Sequence, residues 1–269
     1  MAQALTRAEL LAALEWQFEL GADEAIGEVP LDRTESADAP APDMALPVVL
    51  PAGGEPEPAV QPVVPAGPDP VAMARRAAGA AGDLVALREA LAGYDHCELK
   101  KGARSLVFAD GDARARVMVI GEAPGREEDL QGLPFVGRAG QLLDRMFAAI
   151  GLGRQGPDPE QAIYITNILP WRPPHNRDPD PQEIAMLLPF VERHVELVAP
   201  DLIVLMGNTP CAALLGKRGI TRLRGQWAEV LGRPALPMFH PAYLLRQPHA
   251  KREAWADLLA LRARLEGGR

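Results

Sequence analysis

A chain of 269 residues with 48 % hydrophobic content can bury a core of ordinary size in one or two domains, which excludes wholesale disorder. No run of about 18 uncharged apolar residues occurs, and Arg7, Glu9, Glu15 and Glu19 interrupt the apolar N-terminal positions, which argues against a spanning helix or a secretory h-region and predicts a cytoplasmic location. The formal charge of −8 is unevenly placed: residues 1–70 carry 13 Asp and Glu against Arg7 and Arg33, a net of −11, and the remainder is mildly basic at +3, so a DNA partner stays open.

Along the chain, Thr6 and Glu9 have the spacing of a capping box, and Leu10, Leu11, Leu14 and Phe18 share one face before Gly21. Residues 6–20 therefore read as an amphipathic helix within an N-terminal unit, 1–29. Residues 30–70 hold 11 prolines, so backbone donors are missing and neither helix nor sheet can run; this reads as a linker. The main domain is expected over 71–269. From about 71 to 93 an Ala-rich helical stretch leads in. Short apolar runs then alternate with helical periods: SLVF (105–108), RVMVI (116–120), AIYIT (162–166), DLIVLM (201–206) and ALPMF (235–239), with helices near 138–150, 182–198, 208–216 and 249–265. The alternation predicts an α/β fold, a mostly parallel sheet covered by helices on both faces in a three-layer sandwich. Cys97 and Cys211 are too few for a disulfide framework or a four-thiolate centre.

Ligands of such sheets bind beyond the carboxyl ends of the strands. There RVMVI is followed by GEAPGREED (121–129), AIYIT by Asn167, DLIVLM by Gly207 and Asn208, and ALPMF by HPAYLLR (240–246). A carboxylate, a carboxamide, an imidazole and several glycines thus share one rim. Each has a plain structural alternative: Asn167 as a cap of the next loop, the acidic run 127–129 as the first turn of a helix, Gly207 as a tight strand-to-helix turn.

GEAPGREEDLQGLPFVGRAGQLLDRM, YITNILPWRPPHNRDPDPQE and HPAYLLR resemble, in that order and at matching separations, the motifs of family 4 uracil-DNA glycosylases, over roughly residues 94–262. The resemblance implies a four-stranded parallel sheet between helices, and hydrolysis of the bond between uracil and deoxyribose in DNA. A base inside a duplex is out of reach, so it is flipped into a pocket and read on its Watson–Crick edge. Asn167 is then the reader, accepting from uracil N3–H and donating to O4, and Phe135 stacks on the base. Gly121, Ala123 and Glu128 complete the uracil pocket. His240 donates to uracil O2 as charge builds on the leaving base, and Glu122 orients water and offsets charge on the sugar. On the DNA itself the expected contacts are Gly207 and Asn208 at a helix start, Arg222 and Arg224 on phosphates, and Leu244, Leu245 and Arg246 as a wedge with an adjoining cation.

The chain departs from the family in one respect. Most family 4 enzymes hold a [4Fe–4S] cluster on four cysteines, and alignment on GEAPG and YITN places Tyr94, Cys97, Trp171 and Leu187 at those positions. This implies a relative with no cofactor or metal, in which packing has replaced ligation. RPPHNRDP lacks the basic insertion of relatives that crosslink to DNA, and His175 reads as a loop histidine. Gly125 stands where a tyrosine excludes the thymine methyl in the better-known family. Two other classes stay open: a protein that binds uracil or another DNA lesion, covalently or not, without turnover, and an unrelated doubly wound protein using GEAPG as a phosphate loop, although the Walker lysine and GxGxxG spacing are absent. The partners expected are uracil-containing DNA, single- or double-stranded, bound by a monomer, and a protein reached through residues 1–70; no membrane is expected.

Overall fold

Four apolar runs form the parallel centre of one sheet: β2 (Val117–Gly121), β3 (Ile163–Asn167), β4 (Leu202–Met206) and β6 (Arg233–Met238). Every residue of β2, β3 and β4 is buried, as expected of parallel strands covered on both faces. Two short strands, β1 (Asp110–Gly111) and β5 (Ala228–Val230), pair antiparallel with β3 and β6, giving the order β1–β3–β2–β4–β6–β5. The fold is thus the expected α/β sandwich, with the four parallel strands extended to a six-stranded mixed sheet. The computed structural model describes residues 69–267; the helix expected over 6–20 and the linker up to residue 68 lie outside the described residues.

Strand periodicity of two divides the core into two layers. Met118, Ile120, Tyr164, Ile203 and Leu205 face one side. There they pack against α1 (Pro70–Ala80), α2 (Leu84–Ala92), α3 (Leu99–Gly102) and α6 (Pro181–Val198). Val117, Val119, Ile163, Ile165, Val204 and Leu236 face the other, covered by α5 (Arg138–Ala148) and α10 (Lys251–Gly267). The connections that reach the site carry α4 (Arg126–Gln131), α7 (Asn208–Leu215), α8 (Ile220–Leu223) and α9 (Pro241–Arg246).

Two expectations are corrected, and one strand was not expected at all. The stretch 71–93 forms two helices, because Ala81 and Gly82 leave the helix and Asp83 restarts it by accepting from Ala86 N–H at 2.8 Å. Arg193 of α6 locks the break by donating twice to Ala81 O. SLVF is not a strand: Val107 N–H reaches Pro170 O and Thr166 Oγ1–H reaches Phe108 O, two isolated bonds where a ladder needs a series. Pairing with β3 begins only at β1, where Gly111 takes a φ of 99° and a Cβ would meet Ile163 O at 2.0 Å. Finally, β5 (AEV) is too short to show a period, and pairing with β6 alone makes it a strand.

Candidate active site

The register of the sheet builds the site. Gly121 and Asn167 are paired at the carboxyl ends of β2 and β3. Ile168 N–H to Gly121 O at 2.9 Å and Leu169 N–H to Glu122 O at 3.0 Å carry the pairing past the strand ends. A Cβ on Gly121 would lie 2.4 Å from Asn167 Oδ1 and 2.5 Å from the Phe135 ring, so only glycine lets the amide and the ring approach one another. The Phe135 ring in turn lies 5.4 Å from that of His240, tilted by 30°. Gly207, with a φ of 97°, closes this side; a Cβ there would stand 3.3 Å from His240 Cβ.

Asn167 is buried, and neither Oδ1 nor Nδ2 has a hydrogen-bond partner. A buried amide left in that state costs about 1–3 kcal/mol, so it persists where a ligand completes it. The alternative of a loop cap is thereby removed, since a capping side chain is bonded to backbone. His240 is the N-cap of α9: its Nδ1 accepts from Ala242 N–H at 3.2 Å, which leaves the ring proton on Nε2. Burial, aided by the nearby positive charge of Arg246 and opposed by Glu128, pushes its pKa down to about 4, so at neutral pH the ring is an uncharged donor. Glu122, half-buried, accepts from Thr209 Oγ1–H of α7 at 2.5 Å through Oε2. That bond fixes the carboxylate's orientation.

Glu128 combines the two readings of the acidic run. It sits in the first turn of α4, where its Oε2 accepts from Gly125 N–H, and its Oε1 accepts from Val136 and Gly137 N–H at 3.0 and 2.9 Å. Oε1 thus holds the loop that carries Phe135, and Oε2 closes the N-cap of α4. Ala123 is half-buried against the core layer that contains α6.

Of the residues expected on the DNA, several are engaged elsewhere. Gly207 N–H donates to Met238 O at 2.9 Å, and Asn208 Oδ1 accepts from Gly219 and Ile220 N–H, pinning the start of α8. Arg224 is ion-paired to buried Asp257, donates to Glu253 O and lies 5.8 Å over the Phe239 ring. Leu244 is 1 % exposed and belongs to the core, so it forms no wedge. Arg222 and Arg246 are exposed, Leu245 half-buried, and His175 lies exposed in a single 3-10 turn, Pro174–Asn176. Thr209 and Arg154 were missed. Thr209 stands in the segment after β4 already singled out; Arg154 carries no local signal, because its partners come from three separate segments.

Tyr94, Cys97, Trp171 and Leu187 are 5, 0, 2 and 1 % exposed and lie in the core layer with α1, α2 and α6. Tyr94 donates its hydroxyl to Pro70 O at 2.8 Å and meets Phe190 edge-on, and burial holds the Cys97 thiol protonated, above its ordinary range. One protonated thiol, a bonded phenol, an indole and an isobutyl group do not fit a cluster that needs four thiolates. Among the described residues no group of three or more His, Cys, Asp and Glu is placed to hold a metal, and no helix is long and apolar enough to cross a membrane.

A buried open amide, an aromatic ring and a neutral imidazole donor thus lie together at the carboxyl ends of the parallel strands, groups complementary to a flat, polar heterocycle. The pattern of the uracil DNA glycosylase superfamily matches residues 108–259. The chain is 38 % identical over 170 residues to the type-4 uracil-DNA glycosylase of Archaeoglobus fulgidus, covering 60 % of this chain and 82 % of that protein. It is 39 % identical over 153 residues to the type-4 uracil-DNA glycosylase of Thermotoga maritima (56 % and 77 %) and 33 % identical over 188 residues to that of Sulfurisphaera tokodaii (65 % and 81 %). The chain belongs to the uracil-DNA glycosylase superfamily.

Proposed function

We propose that this chain is a DNA-repair glycosylase that hydrolyses the bond between uracil N1 and deoxyribose C1′ after the nucleotide is flipped out, leaving an abasic site. The observation that carries the reading is the pair of buried, unbonded amide atoms of Asn167. Uracil presents the complement, N3–H toward Oδ1 and O4 toward Nδ2, whereas cytosine presents a lone pair and an amine at the same atoms. Phe135 takes the face of the base, and Gly121 lets that ring and the Asn167 amide stand close enough to share one base; Ala123 is assigned to the pocket by the resemblance alone. As the glycosidic bond breaks, its electron pair passes to the base, and His240 Nε2–H donates to the O2 on which charge gathers; losing such a donor costs about 2.7–4 kcal/mol elsewhere. Water adds to C1′ from the side of Glu122, whose carboxylate, held by Thr209, orients it, takes up its proton and offsets the positive charge on the sugar. Exposed Arg222 and Arg246 and half-buried Leu245 are the contacts assigned to DNA outside the pocket. The finer reading is of a cytoplasmic monomer acting on single- or double-stranded DNA, with residues 1–70 reaching a protein partner.

The test is incubation of the purified chain with end-labelled oligonucleotides carrying one uracil, thymine, hypoxanthine or xanthine, in single and double strands, followed by alkali. Alkali-labile breaks at uracil with multiple turnovers are expected. Tight uracil-dependent binding without breaks would instead support a lesion-binding protein.

A further inference from the structure

Phe135 has a φ of 53°, the left-handed region, which a bulky residue holds only where its surroundings over-determine it. The surroundings are specific. Arg154 donates Nη1–H to Pro134 O at 3.0 Å and Nη2–H to Phe135 O at 2.8 Å. Beyond the ring, Glu128 accepts from the next two backbone N–H groups. Gly140 of α5 makes the approach possible, since a Cβ there would lie 1.7 Å from Phe135 O. Arg154 is anchored in turn by Asp144 of α5 at 2.9 Å and Asp110 of β1 at 2.7 Å, with its side chain 13 % exposed. A planar guanidinium can bind two carbonyls and two carboxylates at once, whereas an ammonium is a point charge with three donors.

We propose that Arg154 is a positioning residue for base excision: it sets the backbone of Phe135 in the conformation that presents the ring to the base, and it touches neither DNA nor the reacting atoms. The inference rests on the reading of Phe135 as the stacking face. Its consequence is a split between steps. Removing Arg154 misplaces the ring and slows chemistry, but it removes no phosphate contact, so DNA capture is unchanged.

The experiment is a double-mutant cycle on the full chain, with single-turnover excision of uracil from an oligonucleotide measured against enzyme concentration. Arg154→Met is expected to lower the maximal rate on the order of tenfold to a hundredfold, as small misplacements of reacting partners do, with the half-saturating concentration unchanged. Added to Phe135→Ala it is expected to cause no further loss, because its effect passes through that ring. Asp144→Asn, which keeps both carbonyl bonds, retains the wild-type rate. An unaffected rate for Arg154→Met, losses that multiply in the double variant, or a raised half-saturating concentration each overturn the inference. Phe135→Ala excising at the wild-type rate overturns the stacking reading instead, a different result from any of these. Should Arg154→Met not fold, Arg154→Lys, which keeps a charge between Asp110 and Asp144, enters the same cycle under the same criteria.

Discussion

Asn167 separates function from stability at one position. Because its amide bonds to nothing in the protein, replacing it removes an unsatisfied polar group and breaks no internal contact. Asn167→Ala should therefore melt no lower than the wild type while excising uracil at least about a hundredfold more slowly. Thermal melts beside single-turnover rates check this, and a large fall in the melting temperature would mean that the amide serves the fold. His240→Ala and Glu122→Gln should each cost about a hundredfold or more in rate without unfolding the chain. Thr209→Val, which leaves Glu122 in place but frees its carboxylate, should lower the rate by a smaller factor, seen in the maximal rate and not in DNA affinity.

Among the elements, the parallel strands and long helices were legible because each carries its own period: β2, β3, β4 and α6 lie within a residue or so of where the apolar pattern puts them. The misread stretches lack a decisive local signal. Residues 71–93 read as a helical stretch because Ala-rich sequence tolerates it, and the break depends on Asp83 and on Arg193 from a distant helix. SLVF has strand composition, yet Val107 bonds Pro170 beyond the end of β3 and Phe108 meets only the Thr166 hydroxyl, so no backbone ladder forms. The layer that holds Tyr94, Cys97, Trp171 and Leu187 is tested by Trp171→Ala. The ring is 2 % exposed, so truncation should cost about 3–5 kcal/mol, read from denaturant unfolding. A negligible change would show that this layer does not depend on the indole.

At the scale of the whole molecule, buried His194 and half-buried His240 set the acid limit. Burial pushes His194, bonded to the Tyr164 hydroxyl at 2.8 Å, down to about 3, and His240 down to about 4. The unfolded chain protonates both as pH falls through about 6.5, whereas the folded chain does not, so the unfolded state binds more protons in that window. Stability contributed by the neutral rings is present above about pH 6.5 and is lost progressively as pH falls, toward about 4 for His240 and about 3 for His194. The melting temperature should be flat from pH 7 to 8 and fall between about 6.5 and 5, before most carboxylates titrate; a flat profile there would contradict the burial of these rings. The boundary expected at residue 71 falls inside α1, whose N-cap Asp69 accepts from Val71 N–H and whose Pro70 O holds Tyr94. A chain begun at Val71 should be less stable than one begun at Gly67 by about 0.5–2 kcal/mol from the lost cap, with both excising uracil.

The order of strands and helices, the rim at the carboxyl ends of the strands and the chemical types gathered there were determined by sequence alone, because hydrophobic period and strand-end motifs are local properties of the chain. The sequence also showed that four thiolates are absent. Only tertiary structure decided which of those residues are free to meet a ligand. Asn167 is left unbonded, Glu128 is committed to backbone, and Arg224 and Leu244 are drawn into contacts with α10 and the core. The physical reason is that a polar or apolar side chain near a site takes whichever partner desolvates it best. For Arg224 that partner is Asp257, 33 residues away; the backbone carbonyl of Phe135 is likewise taken by the guanidinium of Arg154, whose carboxylate anchors lie on β1 and α5. No local pattern in the chain encodes pairings of that kind.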